Sequence, residues 1–280
     1  MVILTRASLQ RGLLVLFCLI MACKAWAAPR RIISLAPSVT EMIYALGAGE
    51  EVVGVSSFSN YPPQVKYLPK VGPFTSPQLE RIVALKPDLV IGLAQSNPQW
   101  IFTRLKSFHI KVVVLKNNGI KGIFENVALL GRVLERKKQA QKLIFKLKAE
   151  IKKLHERVKN LPRPKVFLQL SLRPLFTCGR SSYLHELIEL AGGNNIAGHI
   201  DIPYPILSLE TVVHKSPDII VLCLMQEDAR SAVKFWQRFP SIPAVKTHQI
   251  YVVDPDIFAR PSLRVVQALR ILIKIFHGQL

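Results

Sequence analysis

The usual signatures of catalysis are missing from this chain. It has no G-x-x-x-x-G-K phosphate loop, no G-x-G-x-x-G turn and no G-x-S-x-G elbow, so the common nucleotide-binding and nucleophile-elbow arrangements are excluded. None of its seven histidines forms a close pair with metal-ligand spacing, and surface or capping roles outweigh metal binding. Cysteine is scarce. Cys18 and Cys23 sit at the extreme N-terminus, which leaves Cys178 and Cys223. Those two thiols could pair in an oxidising compartment, and no histidine partner nearby indicates a catalytic thiol. Acid is scarce too, with 18 Asp and Glu against 38 Lys and Arg. A net charge of +20 taken alone suggests nucleic acid or an anionic membrane. The bases are spread along the chain, however, with no arginine cluster interleaved with aromatics and no zinc finger, so no nucleic-acid partner is expected.

What is present begins with a leader. Arg6 and Arg11 form a positive start, Leu13 to Ala22 an apolar run, and Ala25-Trp26-Ala27 a small-x-small cleavage site. The run is too short to span a bilayer, so residues 1–27 read as a secretory signal peptide. Leu19-Ile-Met-Ala-Cys23 also resembles a lipobox, which would make Cys23 a lipid anchor. Soluble release is favoured, because methionine is uncommon in that motif. The mature chain is then a periplasmic monomer. With 50% hydrophobic and 20% charged residues it can build real cores.

Apolar residues recur at steps of three and four from Ile123 to Val158, with one longer gap at Lys137. The pattern predicts one long amphipathic helix, Gly122 to Lys159, on the order of 55 Å long. Pro162 and Pro164 close it. The twelve Lys and Arg against four Glu between Lys121 and Lys159 read as a solvated face. On either side, short β-branched runs alternate with helical patterns, which predicts parallel sheets covered by helices on both faces. Strands are expected at Arg31–Leu35, Glu51–Val55, Asp88–Leu93, Lys111–Leu115, Val166–Leu170 and Ile250–Val253. Helices are expected at Thr40–Leu46, Leu79–Leu85, Tyr183–Leu190 and Ser262–Phe276.

An internal echo links the halves. Leu79-Glu-Arg-Ile-Val-Ala-Leu-Lys-Pro-Asp-Leu-Val-Ile91 returns as Leu209-Glu-Thr-Val-Val-His-Lys-Ser-Pro-Asp-Ile-Ile-Val221, 130 residues on. That offset is too long for a solenoid and fits two α/β lobes of like topology. The expected organisation is an N-terminal lobe over 28–120, a bridging helix over 121–160 and a C-terminal lobe over 161–280. Ligands of paired α/β lobes sit in the crevice between them. The strand-following loops carry Phe58, Tyr61, Phe74, Phe176 and Tyr204, which suggests a cleft for a large flat ligand. Asp256 and Arg260 add a polar pair after the last strand.

Arg31-Ile-Ile-Ser-Leu-Ala-Pro-Ser, Gly54-Val-Ser-Ser-Phe-Ser-Asn-Tyr-Pro-Pro, the Leu79 motif and Phe167-Leu-Gln-Leu resemble the periplasmic cobalamin-binding proteins of bacterial ABC importers. The likeness covers essentially all of 29–280. It implies two Rossmann-like lobes joined by one rigid helix, a corrinoid held between them, no cofactor and no enzymatic activity. It places the pocket on Phe58, Phe74, Leu93, Phe176, Tyr204, Asp256 and Arg260. It also places two glutamates that dock an inner-membrane ABC permease–ATPase complex on Glu80 and Glu210. Leu93, Phe74 and Tyr204 replace tryptophans of the best-known member, and its disulfide positions fall on Ala191 and Ile273. Haem- and siderophore-binding relatives share this fold. An extracytoplasmic enzyme on paired lobes is the remaining alternative, and no nucleophile–base or metal constellation supports it.

Overall fold

The computed structural model describes residues 30–225 and 228–278. The expected signal peptide and Cys23 lie outside them. Two four-stranded parallel sheets form the frame. The first joins β1 (Ile32–Ser34), β2 (Val52–Val55), β3 (Leu89–Leu93) and β4 (Lys111–Leu115) in the order β2-β1-β3-β4. Helices α1 (Pro37–Ala45), α2 (Leu79–Ala84) and α3 (Gln99–Ser107) connect them. All five residues of β3 are buried, as a strand covered on both faces requires.

The chain then runs through α4 (Gly119–Val133) and α5 (Lys137–Val158) to the second sheet. That sheet joins β5 (Lys165–Gln169), β6 (Asn194–Asn195), β7 (Ile219–Leu222) and β8 (Ile250–Val252), in the order β6-β5-β7-β8. Its helices are α6 (Tyr183–Leu190), α7 (Leu209–Lys215), α8 (Ala229–Trp236), α9 (Pro243–Lys246), α10 (Pro255–Phe258) and α11 (Val265–His277). The two sheets share one strand order. The echo therefore falls on equivalent elements, α2–β3 in one and α7–β7 in the other.

The expected single helix over 121–160 is two helices. Leu134 ends α4, and Glu135 takes the left-handed conformation at φ 57°. The Arg136 N–H donates to Gly131 O at 2.7 Å and the Glu135 N–H to Arg132 O at 3.4 Å. This pair of back-bonds is a Schellman stop. Glycine usually fills the left-handed position; here glutamate does, so nothing in the composition announces the turn. The longer gap at Lys137 was its trace. Beyond the turn α5 passes close to α4, and a Cβ added at Gly131 would lie 2.4 Å from that of Ala140.

One apolar core runs through both halves. It gathers Ile32, Leu89 and Ile91 of the first sheet, Val127 and Leu154 of the helix pair, and Val166, Leu168 and Val221 of the second. Ala191 and Ile273 are buried in it, so apolar packing stands where the resembling family has a crosslink. Cys178 and Cys223 are both free and buried.

Candidate functional site

The loops after the C-terminal strand ends meet in a cleft of about 780 Å³ between the sheets. Six of the seven expected ligand residues line it: Phe58, Phe74, Leu93, Tyr204, Asp256 and Arg260. Phe58 and Phe74 meet edge to face with centroids 5.6 Å apart. Phe58 and Tyr204 are each 48% exposed, so both rings have apolar surface to offer a ligand. Tyr204 is enclosed enough for burial to push its phenol pKa upward. Leu93 is buried in the wall.

Phe176 is not part of that lining. Its backbone bridges Ser171 and Ile206, and Thr177 N–H, next to it, donates to Pro205 O at 3.0 Å. Phe176 thus belongs to the brace that holds the Tyr204 loop. Tyr61 lies on another face, where the Arg264 guanidinium stands 4.9 Å from its ring centroid.

Side chains that the sequence reading missed hold the cleft in shape. Buried Asn97 accepts from Leu93 N–H at 2.7 Å and donates to Leu35 O at 3.0 Å and Phe74 O at 2.8 Å. One amide thus fixes the end of β1, the end of β3 and the Phe74 loop. The loop carrying Phe58 is anchored by a chain of buried hydroxyls. Ser34 meets Thr40 at 2.8 Å, Thr40 meets Ser59 at 3.0 Å and Ser59 meets Ser56 at 2.9 Å. From below, the Lys70 ammonium donates to Ser59 O at 2.8 Å, and burial lowers its pKa.

Asp256 and Arg260 pair with each other, yet they also reach across the cleft. The Asn60 amide donates to Asp256 at 2.6 Å, while Arg260 donates to Asn60 at 2.7 Å and to Phe58 O at 3.1 Å. Glu41 on α1, only 4% exposed, accepts from Ser262 at 2.6 Å and from Arg264 Nε at 3.0 Å, and Arg260 stands 3.7 Å away. Burial lowers the Arg260 pKa, with Asp256 and Glu41 opposing that shift. At the other flank α4 begins at Gly119, φ 63°. There the Ile120 N–H donates to Glu186 of α6 at 3.0 Å. A side chain at residue 119 would collide with that carboxylate at 1.8 Å. Tyr183 also lines the cleft. Its phenol hydroxyl is buried without a hydrogen-bond partner among the described residues. Burial, then the charge of Glu41, pushes its pKa well up.

Glu80 and Glu210 lie outside the cleft, both exposed. Each is the second residue of its helix, α2 or α7. Hydrogen bonds from its own backbone and from Ser208 hold the Glu210 carboxyl below its usual range. Among the described residues no helix is long and apolar enough to cross a membrane.

Residues 32–257 match the model of a family described as periplasmic binding protein. A vitamin B12-binding protein of Pectobacterium carotovorum subsp. carotovorum is 33% identical over 252 residues, covering 89% of each chain. The crystal structure of the periplasmic vitamin B12 binding protein of Vibrio cholerae superposes with a TM-score of 0.78 at 28% identity. It covers 89% of this chain and 96% of the other. The periplasmic heme-binding protein of Roseiflexus sp. RS-1 in apo form superposes with 0.79 at 26% identity, over 89% and 98%.

Proposed function

The chain belongs to the periplasmic binding protein family, and on that premise we propose that it captures cobalamin in the inter-lobe cleft and delivers it to an ABC permease. The observation that carries this reading is the cleft itself, about 780 Å³ with Phe58, Phe74 and Tyr204 on its walls and Asp256 and Arg260 on its rim. Aromatic edges and faces exclude water from a macrocycle, while a charged rim pairs with its amide periphery. Relatives named for vitamin B12 support that ligand over others of the fold. No covalent step is involved. The protein works in the periplasm, released there by its leader.

Haem is the competing ligand, because a heme-binding neighbour superposes equally well and Tyr204 and Met225 in the lining are possible iron ligands. The relatives named for vitamin B12, at 33% and 32% identity, favour the corrinoid.

Titrating the purified protein with cyanocobalamin, and separately with haemin, tests the reading by visible spectrum and calorimetry. One corrinoid should bind per monomer with nanomolar affinity, about −12 kcal/mol. Saturable haemin binding with no heat from cobalamin would assign the cleft to haem.

A further inference from the structure

The long helix α5 carries a feature that neither the cleft nor a solvated surface requires. Its buried face is formed by Ala140, Leu147, Leu154 and Val158. Directly opposite stands Phe145, 77% exposed. At 100° per residue, Lys138, Lys142, Lys148 and Lys152 fall within about 60° of Phe145 around the helix axis, and all four are exposed. The two acids of this helix are already engaged, Glu150 by Arg270 and Glu156 by Lys159. Those cations hold both carboxyls below their usual range. The face therefore carries net positive charge around one exposed aromatic ring, with Glu156 neutralised by Lys159 and the Lys148 ammonium 5.2 Å from the Phe124 ring centroid.

At its N-terminal end the same face opens into a cavity of about 730 Å³. Leu129 and Val133 line it beside Arg132, Lys137 and Lys138, with Glu135 as its one acid. A lone exposed phenylalanine is ordinary on a protein surface. The combination with a ring of lysines is what suits a helix lying on a lipid surface, where the ring enters the boundary region while lysines meet headgroup phosphates. Nucleic acid supplies phosphates as well, but it has no acyl boundary for Phe145 to enter.

We propose that the exposed face of α5 is a docking surface for an anionic phospholipid bilayer. No α5 residue lines the cleft, so the contact leaves ligand capture free. This goes beyond cobalamin transport and does not depend on it.

The test is co-sedimentation with phosphatidylglycerol–phosphatidylcholine vesicles at low and physiological salt, beside pure phosphatidylcholine. The mature chain from Ala28 is used, so that neither the apolar leader nor an acyl anchor at Cys23 contributes. Binding should require phosphatidylglycerol and weaken as salt rises. Lys142→Glu with Lys152→Glu should weaken it at least tenfold, and Phe145→Ser several-fold. Unchanged far-ultraviolet dichroism and thermal midpoint would show that both variants fold. Absence of sedimentation with phosphatidylglycerol vesicles overturns the proposal. So does equal binding by both folded variants, or binding to heparin and vesicles alike that ignores Phe145→Ser, which would make the face a non-selective polyanion surface.

Discussion

Arg264 donates through Nε to Glu41 at 3.0 Å, joining side chains 223 residues apart. Glu41 belongs to the helix after β1 and Arg264 to the turn before α11, so the contact ties the two halves beneath the ligand cleft. Asn60 with Asp256 makes the companion tie on the rim.

Removing the acid of that pair should be costly. A buried charge whose partner is deleted keeps its desolvation penalty, and here Arg264 would lose its carboxylate partner while Arg260 would keep only Asp256 of its two. Glu41→Ala is expected to lose about 3–5 kcal/mol of stability by urea denaturation. Asp256→Ala should instead act mainly on the ligand, weakening cobalamin binding by roughly 1–3 kcal/mol. Equal loss of stability in both variants would mean that the rim pair serves the fold alone.

Asn97 should link stability to affinity. Asn97→Ala leaves the Leu93 N–H and two carbonyls without their side-chain partner, which costs about 2–3 kcal/mol. It also frees the Phe74 loop, so cobalamin affinity should fall although residue 97 does not line the cleft. Normal affinity in a folded Asn97→Ala protein would separate the clamp from the site.

Lobe movement should be small. The expected rigid spine is two helices joined by the turn at Glu135, but the core passes without interruption from Ile91 through Val127 to Val221. The Glu41 and Glu186 contacts tie both flanks. Wide closure would have to break these contacts and expose apolar area. Solution scattering with and without cyanocobalamin is expected to show nearly the same radius of gyration; a marked contraction would contradict the ties.

The thiols should be silent while the protein is folded. Burial pushes the Cys178 and Cys223 pKa values up to about 12, so the native state holds protons that an unfolded chain releases above about pH 8.5. Their contribution to stability is complete below that pH and is lost as pH rises toward 12. Iodoacetamide at pH 8 should label neither cysteine in the native protein and both in urea. Rapid native labelling would place a thiol at the surface.

Much of this was legible because it is periodic or repeated. Lys111–Leu115 and Tyr183–Leu190 fall where β-branched runs and three-to-four spacing put them, and the echo located α2–β3 and α7–β7 at matching places. Loop aromatics after strands pointed to Phe58, Phe74 and Tyr204. What stayed hidden depends on partners distant in sequence. Nothing local says that Asn97 will bond to residues 35 and 74, or that Glu135 will sit left-handed. Glu41 did leave a sign, the only acid in the apolar run Pro37–Ala45, since a charge in a helix buried on nearly every side needs a partner.

Glu80 and Glu210 carry the last prediction. Both occupy the second position of a short helix, each helix leads into the corresponding strand of its sheet, and the sheets share one strand order. A carboxylate there has a local explanation in the helix dipole, worth a few tenths of a kcal/mol. For Glu210 that explanation has support, because its carboxyl is held below its usual range by Ser208 and its own backbone. For Glu80 it is thinner, since α2 has no side-chain cap and Glu80 has no ion-pair partner among the described residues. Local capping does not require one acid at the same place in both halves. A two-fold symmetric partner does, because it presents the same basic patch twice. We propose as that partner a dimeric ABC permease that presents an arginine to each carboxylate, since arginine–carboxylate pairs are charge-assisted and bidentate. We expect Glu80→Ala with Glu210→Ala to keep cobalamin affinity, since neither residue lines the cleft, but to lose stable association with the permease and transport. Each single variant should lose part of the association, and high salt should mimic the double variant in binding assays with detergent-solubilised permease. Normal docking and uptake by the double variant would reduce both residues to helix caps.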